Sequence, residues 1–121
     1  MSLINTPYTP FLERYLDLAT FRETLLAANL ANLDTPGYRT VDVAFQSELA
    51  WASAGGDFSK PLRPVVRPVF GLIERPDGNN VSLDREGLLL AQTQLQYKAA
   101  IELIRAEFRR VLGAINDGKE S

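Results

Sequence analysis

The sequence predicts a mainly α-helical fold in which long N- and C-terminal helices pair as a coiled-coil-like hairpin around a Pro/Gly-rich, irregular middle with room for short extended segments. Three features of the 121-residue chain point there: a heptad seam near its end, a shorter seam near its start, and four of its seven prolines crowded between Pro61 and Pro76. In order, the elements are a helix over 9–33, a turn and irregular or extended stretch over 34–82, and a helix over 83–116, together one domain.

The first helix opens with Thr9 as N-cap and Pro10 in the first turn, where proline's missing N–H costs nothing. Alternating steps of four and three then give Leu12, Leu16, Ala19, Glu23, Leu26, Leu30 and Leu33, six of the seven apolar. A second row, Phe11, Tyr15, Leu18 and Leu25, lies beside the first, so the helix has a broad apolar face suited to more than one neighbour.

In the middle, Val43 to Ala52 (VAFQSELAWA) has the composition of one short helix. The prolines exclude a long helix and disfavour a central strand, which leaves Val65 to Glu74 as an extended edge or hairpin arm. Pro76-Asp77-Gly78 is a turn signal.

The last helix carries the strongest periodicity. Steps of four and three from Leu83 give Gly87, Leu90, Gln94, Tyr97, Ile101, Ile104, Phe108, Val111 and Ile115; with Leu83, eight of the ten are apolar. Ser82 supplies the N-cap, Asp84 and Glu86 put negative charge in the first turn, and Arg109 and Arg110 complement the other pole.

Length decides how the helices are used. Leu83 to Ile115 spans roughly 50 Å at the α-helical rise, and Pro10 to Leu33 only about 36 Å. A compact domain of this size is about 35 Å across. Part of the C-terminal seam therefore overhangs the rest, and each large side chain left in water forgoes roughly 1.5–3 kcal/mol. Neighbouring chains are expected to complete the core.

Composition removes most chemistry. The chain has no Cys and no His, so disulfides, thiol nucleophiles, imidazole bases and the common zinc sites are absent. A net charge of −2 gives no general pull toward nucleic acid or an anionic membrane. MSLINTPYTPFLERY lacks the basic and apolar regions of a cleaved signal peptide, and no apolar run approaches the roughly 20 residues of a membrane span. Neither catalytic residues, cofactor, metal nor small-molecule substrate is expected. The tight charged groups, Asp84 with Glu86, Glu102 with Arg105 and Glu107 with Arg110, read as solvated helix-surface pairs.

The stretch Ala27 to Arg39 (AANLANLDTPGYR) is unusual. Ala27, Ala28 and Ala31 allow a close backbone approach, while Asn29 and Asn32 are poor helix formers sharing one face. Pro36-Gly37 suits the centre of a type II turn over which Tyr38 folds back. On one reading Asn32 and Asp34 simply cap the helix. On another the Asn amides hold the reversing chain, or a neighbour's backbone, against the helix end.

The run Ala28-Asn29-Leu30-Ala31-Asn32-Leu33-Asp34-Thr35-Pro36-Gly37-Tyr38 closely resembles the signature of the rod and hook proteins of the bacterial flagellum, a helix ending in Ala-Asn-x-Ala-Asn that runs into Thr-Pro-Gly-Tyr. Gly78-Asn79-Asn80-Val81-Ser82-Leu83-Asp84-Arg85-Glu86, followed by Gln94-Leu95-Gln96-Tyr97, looks like the type B basal-body rod proteins, the proximal-rod subunits, as does Tyr38 to Phe45. The Asn-Val and Glu-Met pattern that precedes Gln-Arg-x-Tyr-Glu at the end of distal-rod and hook proteins is absent. The resemblance covers roughly Leu12 to Phe45 and Gly78 to Ile115. Gly87 departs from it, standing where the family has a larger residue. Glycine there costs about 1 kcal/mol, so the first turn is expected to fray or to pack unusually closely.

The resemblance implies a structural subunit of the proximal rod, built by coiled-coil packing of terminal helices into a helical drive-shaft that transmits torque. It implies export through the flagellar type III apparatus without a cleaved signal, residence in the periplasmic rod, and as partners other rod subunits, the rod-to-MS-ring adaptor and the export apparatus, with no nucleic acid and no membrane insertion. Subunit packing falls to Leu12, Leu16, Leu26, Leu30, Leu90, Tyr97, Ile101, Ile104, Phe108, Val111 and Ile115, and the family motif to Ala28, Asn29, Ala31, Asn32, Asp34, Thr35, Pro36, Gly37 and Tyr38. The basic arm Lys60, Arg63 and Arg67 reads as a solubilising edge, or else as a ligand-binding strand or a contact to peptidoglycan or another rod subunit. The competing reading is a non-polymerising soluble helical adaptor that binds one partner; the small face of Ala27, Ala28, Asn29, Ala31 and Asn32 argues for close lateral packing instead.

Overall fold

The computed structural model describes residues 9–55 and 63–120. In chain order it has α1 (Thr9–Ala31), β1 (Val41–Val43), α2 (Phe45–Gly55), β2 (Val66–Pro68) and α3 (Leu83–Glu120). The protein is mainly helical, with one small two-stranded sheet. The first eight residues and Lys60 of the basic arm lie outside the described residues; Arg63 and Arg67 are exposed.

α1 packs chiefly on α3 and also touches α2 and β1. The two long helices run in opposite directions: Asn29 near the end of α1 bonds Glu86 in the first turn of α3, and Tyr97, three turns on, packs near Leu18. The core is centred on Leu18, Ala19, Val43 and Phe45, with Tyr15, Phe21, Leu25, Leu49 and Tyr97 around it. Tyr15 meets Phe45 edge-on at 5.2 Å. Residues of both apolar rows of α1, Ala19 of the first and Tyr15, Leu18 and Leu25 of the second, thus share one core with β1, α2 and α3, as a broad apolar face allows. Full burial of Leu18 and Leu26 is worth roughly 1.5–3 kcal/mol each.

The inward register differs from the sequence expectation. On α3 the buried positions are Glu86, Thr93 and Ala100, one residue before Gly87, Gln94 and Ile101; Leu90, Tyr97 and Ile104 flank them, half-buried. On α1 the inward set keeps Leu12, Ala19 and Leu26 but takes Asn29 in place of Leu30, which is half-buried along with Leu16. A pattern count assigns the inside to apolar residues. Here polar side chains go inside because each finds a partner: Thr93 donates to the Leu89 carbonyl at 2.7 Å, and Glu86 and Asn29 bond each other at 2.9 Å.

Element ends shift as well. α1 stops at Ala31, because Asn32 to Asp34 already turn, and α3 continues to Glu120. α2 begins at Phe45, since Val43 is spent in β1. β1 and β2 pair antiparallel, with Val41 opposite Pro68, Asp42 opposite Arg67 and Val43 opposite Val66, so the proline sits in a two-stranded ribbon whose outer edges need no donor.

Gly87 neither frays nor packs closely: it lies within α3, and a Cβ built on it meets no heavy atom within 4 Å. Its cost is conformational only. Gly87→Ala is expected to stabilise the chain by about 1 kcal/mol, read as a thermal midpoint about 4 °C higher; a lower midpoint would show that the glycine is required.

Candidate functional site

Two separated stretches, 29–42 and 75–86, fold onto one another where α1 ends and α3 begins. Each contributes a tight turn. Thr35-Pro36-Gly37-Tyr38 is closed by the Tyr38 N–H donating to the Thr35 carbonyl at 3.2 Å, with Gly37 at φ 75°, as a type II turn demands at its third position. Arg75-Pro76-Asp77-Gly78 is closed by the Gly78 N–H donating to the Arg75 carbonyl at 2.9 Å. The turns abut. The Gly37 N–H donates to the Asp77 carbonyl at 2.9 Å, and a Cβ on Gly78, itself at φ 85°, would lie 3.4 Å from the Gly37 Cα.

The last carbonyls of a helix lack intrahelical partners. In α1 those of Ala28, Asn29 and Leu30 are met by the Asn32 and Leu33 N–H groups and the Asn32 amide, and the carbonyls of the turn that follows are gathered by the fully buried Asn79 from across the joint: its Nδ2 lies 2.9 Å from the Asn32 carbonyl, 3.1 Å from that of Leu33 and 2.8 Å from that of Thr35. Arg75 bridges the Leu33 and Val81 carbonyls. Asn80 accepts the Thr40 N–H at 2.7 Å. Asp34 is exposed, and of the two suggested caps it is the Asn32 amide that meets an α1 carbonyl, that of Ala28.

Asn29 and Asn32 play different parts. Asn32 is local, its Nδ2 donating to the Ala28 carbonyl at 2.8 Å and its Oδ1 accepting from the Thr35 hydroxyl at 2.9 Å. Asn29 is fully buried and uses every polar atom. Its Nδ2 donates to the Val41 carbonyl at 2.8 Å and to Glu86 Oε2 at 2.9 Å, and its Oδ1 accepts from the Tyr38 hydroxyl at 3.0 Å and the Val41 N–H at 3.3 Å. One side chain therefore ties α1 to the turn, to β1 and to α3. Burial, and secondarily the negative charge of Glu86, hold the Tyr38 phenol above its usual pKa, with the Asn32 amide opposing them. Tyr38 stays a neutral donor.

Glu86 belongs to a second set of bonds, so its reading as a solvated surface charge is corrected. Its Oε1 accepts from Arg85 at 2.6 Å; Arg85 reaches Asp42 at 3.4 Å; and Arg22 of α1 grips Asp42 through two bonds of 3.2 and 3.0 Å. Two arginines alternate with two carboxylates, so the network is electrically neutral, and it runs from α1 through β1 to α3. The other charged pairs do lie on the surface, Glu102–Arg105 at 2.9 Å and Glu107–Arg110 at 3.0 Å. Among the described residues no group of carboxylates could hold a metal ion.

Of the packing residues named from the seams, Leu12 and Leu26 are buried, and Leu16, Leu30, Leu90, Tyr97, Ile101, Ile104 and Val111 are half-buried. Phe108 and Ile115 are exposed, together with Leu112. Ala28, Ala31, Asp34, Thr35, Pro36 and Gly37 also face solvent. Sequence reasoning missed Arg22, Asp42 and Arg85, which carry no pattern of their own. It passed over Asn79 and Asn80 as parts of a motif, although two adjacent amides just before an N-cap were the available signal.

No protein-family model matches the chain. Individual proteins do. The flagellar basal body rod protein FlgB of Salmonella typhimurium is 29% identical over 127 aligned positions, covering 89% of this chain and 92% of that protein. The FlgB proteins of Escherichia coli and Bacillus subtilis are each 29% identical over the same shares of both chains. Over nearly its whole length, then, the chain is similar to flagellar basal body rod proteins. Those relatives are, by name, rod proteins of the flagellar basal body. The joint described above ties the end of α1 to the start of α3.

Proposed function

We propose that the chain is a proximal-rod subunit whose terminal helices pair in coiled-coil fashion and then pack against neighbouring subunits in a helical drive-shaft that transmits torque. The observation that carries this reading is the overhang of α3. At 38 residues it is about 57 Å long, against about 35 Å for the 23 residues of α1. Past the reach of α1 it carries Phe108, Leu112 and Ile115 in water. A shaft of identical subunits covers such a stripe by repeating one head-to-tail contact without closure. Leu12, Leu16, Leu26, Leu30, Leu90 and Tyr97 hold the pair within one chain, and Ile101, Ile104, Phe108, Val111 and Ile115 serve the contact between chains. The Asn29 joint fixes the angle between the helices so that the contact repeats.

On this reading the neighbours are other rod subunits and the rod-to-MS-ring adaptor. The site of action is the periplasmic rod, reached through the flagellar type III apparatus without a cleaved signal peptide. The test is complementation: in a strain lacking its own proximal-rod subunit of this type, the chain is expected to restore rods and swimming and to co-purify with basal bodies. Restored export without incorporation into basal bodies would favour the single-partner adaptor.

A further inference from the structure

Among the described residues, the side of α3 turned away from α1 carries Leu88, Leu95 and Leu103 exposed at 72, 69 and 55%. Between them stand the exposed Ala91, Ala99 and Ala106. At 3.6 residues per turn these six share about one third of the helix circumference, with the exposed Gln92 and Glu102 toward its two edges, on the far side from Glu86, Thr93 and Ala100. We propose that this stripe pairs with the same stripe of a second copy, antiparallel about a two-fold axis near Tyr97.

Shape and charge both select that arrangement. With the axis there, Leu88 lies on the second copy's Ala106 and Leu95 on its Ala99, so along the middle of the stripe each leucine fills the space above an alanine and the helices approach closely. The same register brings Asp84, exposed in the first turn, beside the second copy's exposed Arg109, once at each end. Arg85 at the rim is already turned onto Asp42 and Glu86, which offset its charge. A parallel pairing in register sets leucine on leucine and every charge against its like. A parallel pairing staggered by eleven residues recovers leucine on alanine but sets Lys98 against Arg109, a like-charge contact that costs stability.

An antiparallel pair of this kind is closed. It is a self-limiting soluble form that hides the stripe, distinct from any growing shaft, and it stands or falls independently of the rod reading. The absence of cysteine makes the test clean. In purified full-length chain, sedimentation equilibrium is expected to show a monomer–dimer equilibrium that L95E abolishes while circular dichroism keeps its helix signal. D84R is expected to weaken the dimer several-fold, and adding R109D to restore it. An equimolar mixture of L95C and A99C chains is expected to cross-link on oxidation about tenfold faster than either chain alone, because only the mixed pair has its sulfurs within bridging distance. A monomer at every concentration, equal cross-linking by each variant alone, or preferential cross-linking of L88C with A99C would overturn the proposal.

Discussion

Asn29→Leu is expected to cost about 3–5 kcal/mol, the range for removing one partner of a buried charged contact. The reason lies in what the leucine leaves behind. The Val41 N–H and C=O, the Tyr38 hydroxyl and Glu86 Oε2 each lose a partner in a place water does not reach freely, and each such loss costs about 1–3 kcal/mol before relaxation. Against a total stability of about 5–15 kcal/mol, the variant is expected to be marginal at room temperature. Asn32→Ala removes only bonds within the helix end and its turn, and is expected to cost about 1 kcal/mol. Urea denaturation with matched m-values checks the ranking. A sharper check is the double variant Asn29→Leu with Glu86→Leu, which removes both partners of the central contact. Its loss is expected to fall short of the sum of the two single losses by more than about 0.5 kcal/mol. Simple additivity would mean that the contact carries no coupling and that the joint is a set of separate caps.

Phe108→Asp and Ile115→Asp are expected to leave the isolated chain almost unchanged, within about 0.5 kcal/mol, because both side chains already face solvent. In a complemented strain the same substitutions are expected to abolish rod assembly and swimming, since each would set an unpaired carboxylate in an apolar contact between subunits. Leu18→Asp is the contrasting control, a fully buried core position where the charge is expected to unfold the chain outright. Wild-type swimming by Phe108→Asp together with Ile115→Asp would remove the overhang from the assembly contact.

The legible parts of the fold were those governed by local rules. Ser82 caps α3 as expected, its Oγ accepting the Arg85 N–H at 3.2 Å. Pro36-Gly37 makes the turn its backbone preferences demand, and Tyr38 folds back onto the helix it follows. Of the two readings of the Asn pair, each fits one residue: Asn32 stays at the helix end, and Asn29 holds the reversing chain. What escaped was any choice that depends on a partner far along the chain. Glu86 looks like an ordinary first-turn acid until Asn29, 57 positions away, is set against it. Asn79 shows no sign in sequence of gathering the carbonyls of a turn more than forty residues earlier.

By itself the sequence determined that two long helices exist, where the turns fall, that no thiol or imidazole chemistry is available, and that the chain resembles rod proteins; these follow from backbone preference, periodicity and composition, which act over a few residues. Only the tertiary structure decided which face of each helix turns inward. That choice rests on whether a buried polar group finds its partner, and the partners of Asn29, Asp42, Glu86 and Asn79 come together only once the chain has folded.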